Sequence, residues 1–137
     1  MVHTAPSGKT YVSVRTSFWV DGFKTVSTPP ASVPGQSVTA TASPAYVTWA
    51  LGDPTNPQMT CQDGGSQSGD SCNYTYKKSS VGVPGGSYQV TATITWNIHW
   101  TCVGNDCDQA AGDLPAMTMA SAPTPLVVGE IQAGSRQ

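Results

Sequence analysis

Four cysteines carry the most specific chemistry in this sequence. Cys61 and Cys72 flank a loop rich in Gly, Ser and Asp, and Cys102 and Cys107 flank the short segment 103–106. Four cysteines allow three disulfide pairings, and we favour Cys61–Cys72 and Cys102–Cys107 because each closes a single loop. A zinc site is the alternative, but neither pair has C-x-x-C spacing. Disulfides persist in oxidising compartments, so the cysteines predict a secreted or extracellular protein associated with the cell surface.

Candidates for catalysis are few. A hydrolase needs an activated nucleophile or a pair of carboxylates, and the sequence has no G-x-S-x-G segment. His3 and His99 are the two imidazoles that could act as a base. His3 lies close to the first residue, and His99 alternates with Asn97 and Thr101 on a polar strand face, where a catalytic role would need a perturbed pKa. We predict no catalytic residue, no enzyme activity and no cofactor.

Three acidic residues, Asp106, Asp108 and Asp113, cluster in one predicted loop. Ca²⁺ takes several oxygen ligands from loops of this kind. Their spacing does not match the D-x-D-x-D-G-x₅-E pattern of a calcium-binding loop, and Asp is common in turns for hydrogen-bonding reasons of its own. We predict no metal site, and a bound calcium ion is the alternative.

The charge composition excludes two classes of partner. The net charge is −2, only 10% of the residues are charged, and there is no basic run. Nucleic acids and anionic membranes both attract cationic surfaces, so neither partner is predicted. No segment approaches the roughly 18 apolar residues of a membrane-spanning helix. No G-x-x-x-x-G-K-[ST] loop is present that would bind nucleotide phosphates.

One long alternating segment positions several of these residues. From Tyr88 to Cys102, apolar and aromatic side chains alternate with Gln, Thr, Asn and His without a break. Since successive strand side chains point to opposite faces, the pattern predicts a half-buried strand with a threonine-rich outer face. At about 3.3 Å per residue, the segment Gly86–Cys102 would be about 50 Å long, well beyond a common strand. We therefore predict either a bend or a β-ribbon that extends past the core.

Trp96, Ile98 and Trp100 lie on the apolar side of the outer half of this segment. On an exposed ribbon, they could stack on a polysaccharide or anchor a protein partner. The alternative, which we favour, is that they pack under apolar residues of the returning strand 114–120, because an isolated ribbon needs its own cover.

Proline and glycine turn signals divide the rest of the chain into short strands. The predicted strands cover residues 10–20, 38–42, 45–51, 72–77, 114–120 and 126–133. A bulge or strand switch is expected at Phe18–Val20, and a break at Ser43-Pro44. Many short strands at close spacing are typical of an antiparallel β-sandwich. The predicted organisation is a flexible N-terminal arm over residues 1–9 and a single β-sandwich domain over residues 10–137.

Three short motifs resemble those of PKD (polycystic kidney disease) domains. Val47–Asp53 resembles the W-x-F-G-D-G signature, Tyr74–Tyr76 is similar to H-x-Y, and Gly86–Val90 matches G-x-Y-x-V. The resemblance covers roughly residues 33–133 and implies an immunoglobulin-like β-sandwich. Segments such as Val33–Ala42 are also similar to PKD-like domains of secreted actinobacterial proteins, from which no activity carries over.

The resemblance implies structural roles for five motif residues. Trp49 should pack between the sheets, while Gly52 and Asp53 should form the next turn, with the Asp53 side chain orienting it. Tyr76 and Tyr88 should be largely buried, with their hydroxyl groups bonded at the rim. The expected core residues are Val38, Ala40, Val47, Trp49, Val90, Ala92 and Ile94.

The sequence departs from the family pattern at two positions. Pro54 follows Asp53 where the family has glycine, so the turn should differ. Tyr74 stands where the family usually has histidine. Both positions are expected to lie away from the core and to leave the predicted fold intact.

These observations predict a non-enzymatic module that mediates protein or cell-envelope interactions. A ribbon closed by Cys102–Cys107 would present a preorganised tip, so Trp100, Asp106 and Asp108 are the predicted partner-binding residues. The alternative is a carbohydrate-binding accessory module with a polysaccharide ligand. A linear row of exposed aromatic residues would favour carbohydrate, and a broad apolar patch with a polar rim would favour protein.

Overall fold

The computed structural model describes residues 2–130. This part of the chain is all-β, as predicted, with eleven strands, one 3₁₀ turn at Pro84–Gly86 and no α-helix. The strands are β1 Val2–Ala5, β2 Lys9–Tyr11, β3 Arg15–Val20, β4 Val26–Ser27, β5 Ala31–Val33, β6 Gln36–Ala50, β7 Gln58–Cys61, β8 Asn73–Thr75, β9 Tyr88–Val103, β10 Ala111–Ala120 and β11 Thr124–Gly129.

The strands form two sheets of unequal size. A three-stranded sheet has the order β1-β3-β8 and is antiparallel. An eight-stranded sheet has the order β2-β11-β9-β6-β4, with β10 beside β9 and with β5 and β7 beside β6. β11 pairs with β2 in parallel. The sheets are therefore antiparallel as predicted except at this one strand pair, which makes the larger sheet mixed.

The small sheet packs on one half of the large sheet and gives a sandwich-like core. Phe18 of β3 and Trp49 of β6 are fully buried, and their ring centroids are 5.3 Å apart. The buried apolar residues of the core are Val2, Phe18, Val47, Trp49, Leu51, Cys61, Cys72, Tyr76, Tyr88, Val90, Ala92, Ile94, Leu126 and Val128. The core thus joins alternate residues of the central strands to residues of the small sheet.

The predicted long strand is confirmed as β9, which has 16 residues. Its even-numbered side chains are buried or half-buried, and most of its odd-numbered side chains are more exposed, with Thr95 as the buried exception. β6 runs beside nearly all of β9, and β10 runs beside its outer half. The outer half is therefore the middle of a wider sheet and not a two-stranded ribbon.

β6 continues through the predicted break at Ser43-Pro44. A register shift after Pro44 marks a β-bulge. On the other side of β6, β4 reaches only to Ala42, and the pairing with β7 starts at Val47, opposite the last residue of β7. Pro44 lies between these partners, where its missing N–H interrupts no ladder on that side. The prediction of two separate strands is wrong because a bulge shifts the alternation much as a turn would.

The N-terminal residues belong to the small sheet. β1 pairs with β3 from Val2 opposite Val20 onwards, and Val2 is buried. The prediction of a flexible arm over residues 1–9 is therefore wrong for residues 2–5. A paired N-terminal strand is the usual way in which a terminus is ordered.

The chain changes sheets between β2 and β3. β2 lies in the large sheet and β3 in the small one, and Ser13 between them has a positive φ of 69°. The switch thus falls before the expected position at Phe18–Val20. At the other end of the chain, the predicted strand over residues 126–133 is found as β11, and residues 131–133 lie outside the described residues.

Both predicted disulfides are confirmed, with Cα–Cα distances of 5.6 Å for Cys61–Cys72 and 6.0 Å for Cys102–Cys107. Cys61 ends β7, a strand that is not among the predicted strands. Cys72 immediately precedes β8. The first disulfide therefore links the large sheet to the small sheet, and the second closes the loop at the end of β9.

The large sheet continues beyond the core. We call this part the extension: residues 36–44 of β6, 96–103 of β9 and 111–117 of β10, with β4 and β5 along one edge. The core cluster ends on β9 at Ile94, and Trp96 packs against its margin. The expected core residues Val38 and Ala40 are only half-buried because they lie on the extension.

Candidate functional site

Two β-bulges mark the boundary between the core and the extension. Opposite Trp96, β6 shifts register after Pro44, and β10 shifts register between Leu114 and Met117, a segment that contains Pro115. A bulge bends its strand and increases the local twist. Both neighbours of β9 therefore change direction at the same level.

One face of the extension is apolar and open, and we call it the apolar face. Its cross-strand pairs include Trp96 with Met117 and Ile98 with Leu114. Met117 is 60% exposed, and Met119, which continues the face two residues beyond the extension on β10, is 67% exposed. A groove of about 230 Å³ on this face is lined by Val26, Ala42, Trp96, Ile98, Met117, Thr118 and Met119.

The returning strand lies beside Trp96 and Ile98, of which Ile98 is buried and Trp96 is half-buried at the margin of the core. Met117 and Leu114 of β10 lie beside these residues in the same sheet, not over them. The favoured expectation that Trp96, Ile98 and Trp100 pack under residues 114–120 is therefore met only in part, because β10 lies in the same sheet and leaves Trp96 and Trp100 half-exposed. The large side chains of β10 stay exposed as a result.

Trp100 is held in place by a glycine on the neighbouring strand. Gly112 lies directly opposite it on β10, and a Cβ atom on Gly112 would lie 2.6 Å from Cζ2 of Trp100. The indole ring thus lies against the glycine backbone, an arrangement that shields a glycine on an edge strand. The side chain is half-exposed, so the position of the ring is restricted while part of it faces solvent.

The loop after β9 is tied to the β5–β6 turn. The backbone N–H of Asp106 donates to the carbonyl of Gly35 over 2.9 Å, and the N–H of Cys102 donates to the carbonyl of Ala110 over 2.8 Å. Gly35 has a φ of +86°, which favours glycine, and an added Cβ would collide with the Asp106 carboxylate. The Cys102–Cys107 disulfide closes the same loop, so this loop is restrained at several points.

A second groove, of about 410 Å³, lies at this end of the extension, and we call it the tip groove. It is lined by Gln36, Val38, Trp100, Cys102, Asp108 and Gln109. Of the predicted partner-binding residues, Trp100 and Asp108 thus share one groove. Asp106 does not line it, because its carboxylate lies next to Gly35. Gln36 and Gln109 had no sequence signal, since the fold alone brings them together.

The opposite face of the extension is polar. His99 Nδ1 and Asp113 Oδ1 are 2.9 Å apart, and both side chains are more than half exposed. Thr41 is opposite His99 on β6. The third acidic residue of the predicted cluster therefore lies on the other side of the sheet from the apolar face. The pair lies on an open sheet surface and lines neither groove.

The other histidine also pairs with an aspartate. The ring of His3 stacks on Trp19 with centroids 5.3 Å apart, and its Nε2 lies 2.9 Å from Asp21 Oδ2. The hydrogen bond with His3 lowers the pKa of Asp21 below its usual value. This contact joins β1 to the end of β3 and gives His3 a place in the small sheet.

Asp53 organises the turn after β6. It is fully buried, and its Oδ1 accepts hydrogen bonds from the N–H of Thr55 over 2.9 Å and from its hydroxyl over 2.8 Å. Its Oδ2 accepts a 2.6 Å bond from the hydroxyl of Tyr74. Gly52 has a φ of +78°, and a Cβ there would lie 2.7 Å from Cβ of Tyr88. The turn therefore requires both a carboxylate and a glycine.

Two further tyrosines line this turn. Tyr76 is fully buried and donates to the carbonyl of Leu51 over 2.9 Å. Tyr88 donates to the carbonyl of Lys78 over 2.9 Å. Burial raises the pKa of Tyr76 and of Tyr88 above its ordinary value. Burial, together with the hydrogen bond to Asp53, raises the pKa of Tyr74 to about 12. These phenols stay neutral at physiological pH and act as hydrogen-bond donors.

Within residues 2–130, no group of three or more His, Cys, Asp or Glu side chains could hold a metal ion. Nor does that part of the chain contain a helix long and apolar enough to cross a membrane.

Removal of the inter-sheet disulfide should have the larger effect of the two. The double variant Cys61→Ser/Cys72→Ser is expected to lose about 3 kcal/mol of unfolding free energy, and Cys102→Ser/Cys107→Ser about 2 kcal/mol, since the closed loop is shorter. Chemical denaturation of both variants beside the wild type measures the difference. A larger loss for the Cys102/Cys107 variant would contradict the assignment of Cys61–Cys72 to the core.

Comparison of the chain with protein-family models, with curated proteins and with solved structures gave no match.

Proposed function

We propose that the protein is a non-enzymatic binding module of the PKD-like, immunoglobulin-like type that acts outside the cell or at the cell surface. The observation that carries the proposal is the apolar face, where Met117 and Met119 remain exposed. The Asp53 turn and the two disulfides support the PKD-like and extracellular parts of the proposal.

The apolar face is better suited to contact with a protein partner than to exposure to water. A sheet that is apolar on one face normally buries that face against another layer. Within residues 2–130, the core cluster supplies this layer only as far as Ile94 and the margin at Trp96. Contiguous exposed apolar surface on a folded domain is typical of an interaction site. A partner would then supply the missing second layer over the extension.

Charge complementarity indicates the chemistry of that partner. Residues 25–76 and 79–135 contain no Lys or Arg, whereas Asp106 and Asp108 lie in the loop at the end of the extension. Such a surface repels anionic groups and attracts cationic ones. We therefore expect a protein segment with an apolar centre and basic residues at its rim. A second copy of this chain would bring like charges together.

The face is a better docking surface than the edge. β10 pairs only with β9 among the described strands, so one of its edges is open. Pro115 and the bulge beside it interrupt that edge, and proline on an edge strand disfavours strand addition. A partner would therefore contact the side chains of the apolar face.

A polysaccharide is the second candidate ligand. Trp100, with Asp108 and two glutamine side chains in the tip groove, has the residue types that bind sugars by stacking and hydrogen bonding. Trp96 and Trp100 are four residues apart on one face of β9, about 13 Å at strand spacing. Because methionine and aliphatic side chains lie around them, the surface is a broad patch more than a row of aromatic rings.

Selection of peptides from a displayed random library on the immobilised protein tests the proposal. Peptides that combine apolar residues with Lys or Arg are expected, and Met117→Gln/Met119→Gln should weaken their binding about tenfold or more because it removes the exposed apolar anchors. Asn97→Gln/Thr101→Gln, on the polar face of the same sheet, is the matched control and should leave binding unchanged.

Three outcomes would contradict this assignment. Selection of peptides rich in acidic residues would exclude a basic partner. Equal peptide binding by the two double variants would exclude the apolar face as the binding site. Sedimentation equilibrium gives the third: we expect a monomer, and a dimer that Met117→Gln/Met119→Gln dissociates would make a second copy the occupant of the face.

A further inference from the structure

We infer that the tip groove recognises a cationic side chain, the guanidinium of Arg or the ammonium of Lys, on the partner that covers the apolar face. This inference rests on the proposed function and names the group that the partner must carry. It follows from the shape of the groove, from its polar lining and from the charges around it.

The groove combines the groups that bind an organic cation. Trp100 supplies an aromatic ring, Asp108 a carboxylate, and Gln36 and Gln109 supply amide oxygens. An aromatic face attracts a cation through its quadrupole, and a carboxylate forms charge-assisted hydrogen bonds with guanidinium and ammonium groups. Amide oxygens accept the remaining N–H bonds. A neutral ligand would use the ring and the amides but would leave the carboxylate without a partner.

Asp108 has no cationic partner in the described part of the chain. Within residues 2–130, the acidic side chains that lie against a basic one are Asp21, beside His3, and Asp113, beside His99. Among residues 2–130, the Lys and Arg residues are Lys9, Arg15, Lys24, Lys77 and Lys78, none of which lies on a strand of the extension or in the loop after β9. The carboxylate in the groove is therefore available for a charge supplied by the partner.

The site is restrained before a ligand arrives. The indole of Trp100 lies against Gly112, and the loop that carries Asp108 is closed by Cys102–Cys107 and bonded to Gly35 through the N–H of Asp106. A restrained site loses little conformational entropy on binding, which raises affinity for a small group. The groove is also next to the apolar face, since Trp100 and Ile98 are neighbours on one side of β9.

Titration with N-acetyl-arginine amide, followed by the indole N–H signals in ¹⁵N NMR spectra, tests the inference. The four tryptophans provide four indole N–H groups, and Trp100→Phe identifies the signal of Trp100. The arginine amide should shift the Trp100 signal, and the neutral isostere N-acetyl-citrulline amide should bind about tenfold more weakly because it lacks the charge. Added salt should weaken binding of the arginine amide, because salt screens the attraction between charges.

Asp108→Asn and Asp106→Asn form a matched pair, since each removes one charge from the same loop. Asp108→Asn should weaken binding of the arginine amide about tenfold. Asp106→Asn should have little effect on this binding, because the Asp106 carboxylate lies beside Gly35 and outside the groove. Equal losses of binding in the two variants would mean that only the overall charge of the loop matters. That result would overturn the assignment of the site.

Two further arms separate this inference from the proposed function. If the arginine and citrulline amides bind with equal affinity, the groove is not a cation site. The same conclusion follows if an N-acetylglucosamine oligomer shifts the Trp100 signal and Asp108→Asn leaves that shift unchanged. Peptides that still require Met117 and Met119 would then leave the proposed function standing. Met117→Gln/Met119→Gln should leave binding of the arginine amide unchanged, so the two results do not depend on each other.

Discussion

Replacement of Trp49 by alanine is expected to lower the free energy of unfolding by about 3–5 kcal/mol, the usual range for a large core aromatic residue. Trp49 is fully buried and packs on Phe18 across the two sheets. Loss of the indole removes apolar contacts and leaves a cavity between layers that the Cys61–Cys72 disulfide holds together. Urea denaturation followed by far-UV circular dichroism measures the change.

Trp100→Ala is the matched control for this prediction, because it removes the same side chain from β9 outside the core. Trp100 is half-exposed, so we expect a loss of about 1 kcal/mol or less. Trp49→Phe should cost less than Trp49→Ala, because the ring keeps most of the volume and the buried Nε1 of Trp49 has no hydrogen-bond partner. A loss for Trp100→Ala as large as that for Trp49→Ala would place the extension inside the core.

The long strand could be predicted because its signal is local and repeated. Apolar and polar residues alternate from Tyr88 to Cys102 without interruption, and the burial of β9 follows this alternation. β6 has the same kind of pattern, but its parity changes between Ala42 and Val47. A turn and a bulge change parity alike, and only the partner strands show that Pro44 lies in a bulge.

The topology of the large sheet depends on contacts that leave no local signal. Lys9–Tyr11 pairs in parallel with the end of β11, more than a hundred residues later in the sequence. Val2 and Thr4 alternate correctly for a strand, but four residues are too few for a periodic pattern to be distinguished from chance. These short strands owe their place to their partners and not to propensity.

The candidate site was only partly accessible to sequence reasoning. Trp100 and Asp108 could be proposed from an aromatic residue near a disulfide-closed loop, and both line the tip groove. The exposure of Met117 and Met119 could not be predicted, because the sequence does not show whether β10 covers β9 or lies beside it. The separation of Asp106 from Asp108 could not be predicted either, because it follows from the contact between Asp106 and Gly35.

Asp53→Ala is expected to lower the free energy of unfolding by about 3 kcal/mol, since hydrogen bonds to a buried charged group contribute about 1.5–3 kcal/mol each and their loss leaves donors unpaired. The carboxylate accepts three bonds, two from Thr55 and one from Tyr74. Asp63→Ala is the matched control: Asp63 also bonds a residue two positions later, but in an exposed loop. Its loss should be about 1 kcal/mol or less.

The pH dependence of stability should identify this turn independently of the substitution. Burial alone would raise the pKa of Asp53, but the hydrogen bonds from Tyr74 and Thr55 outweigh it and lower the pKa below its usual value. The contribution of Asp53 is thus complete above about pH 4, where Asp ionises in unfolded chains, and is lost as the pH falls further.

The contribution of Tyr74 to stability depends on pH in the opposite direction from that of Asp53. Its pKa is raised to about 12, so its contribution is complete below about pH 10, the ordinary value for tyrosine, and is lost as the pH rises towards 12. Thermal unfolding measured from pH 2 to 12 should show both losses. Tyr74→Phe should reduce the alkaline loss, and it should weaken the acid loss because Asp53 then lacks one donor. An unchanged acid limb in Tyr74→Phe would mean that Thr55 alone sets the ionisation of Asp53.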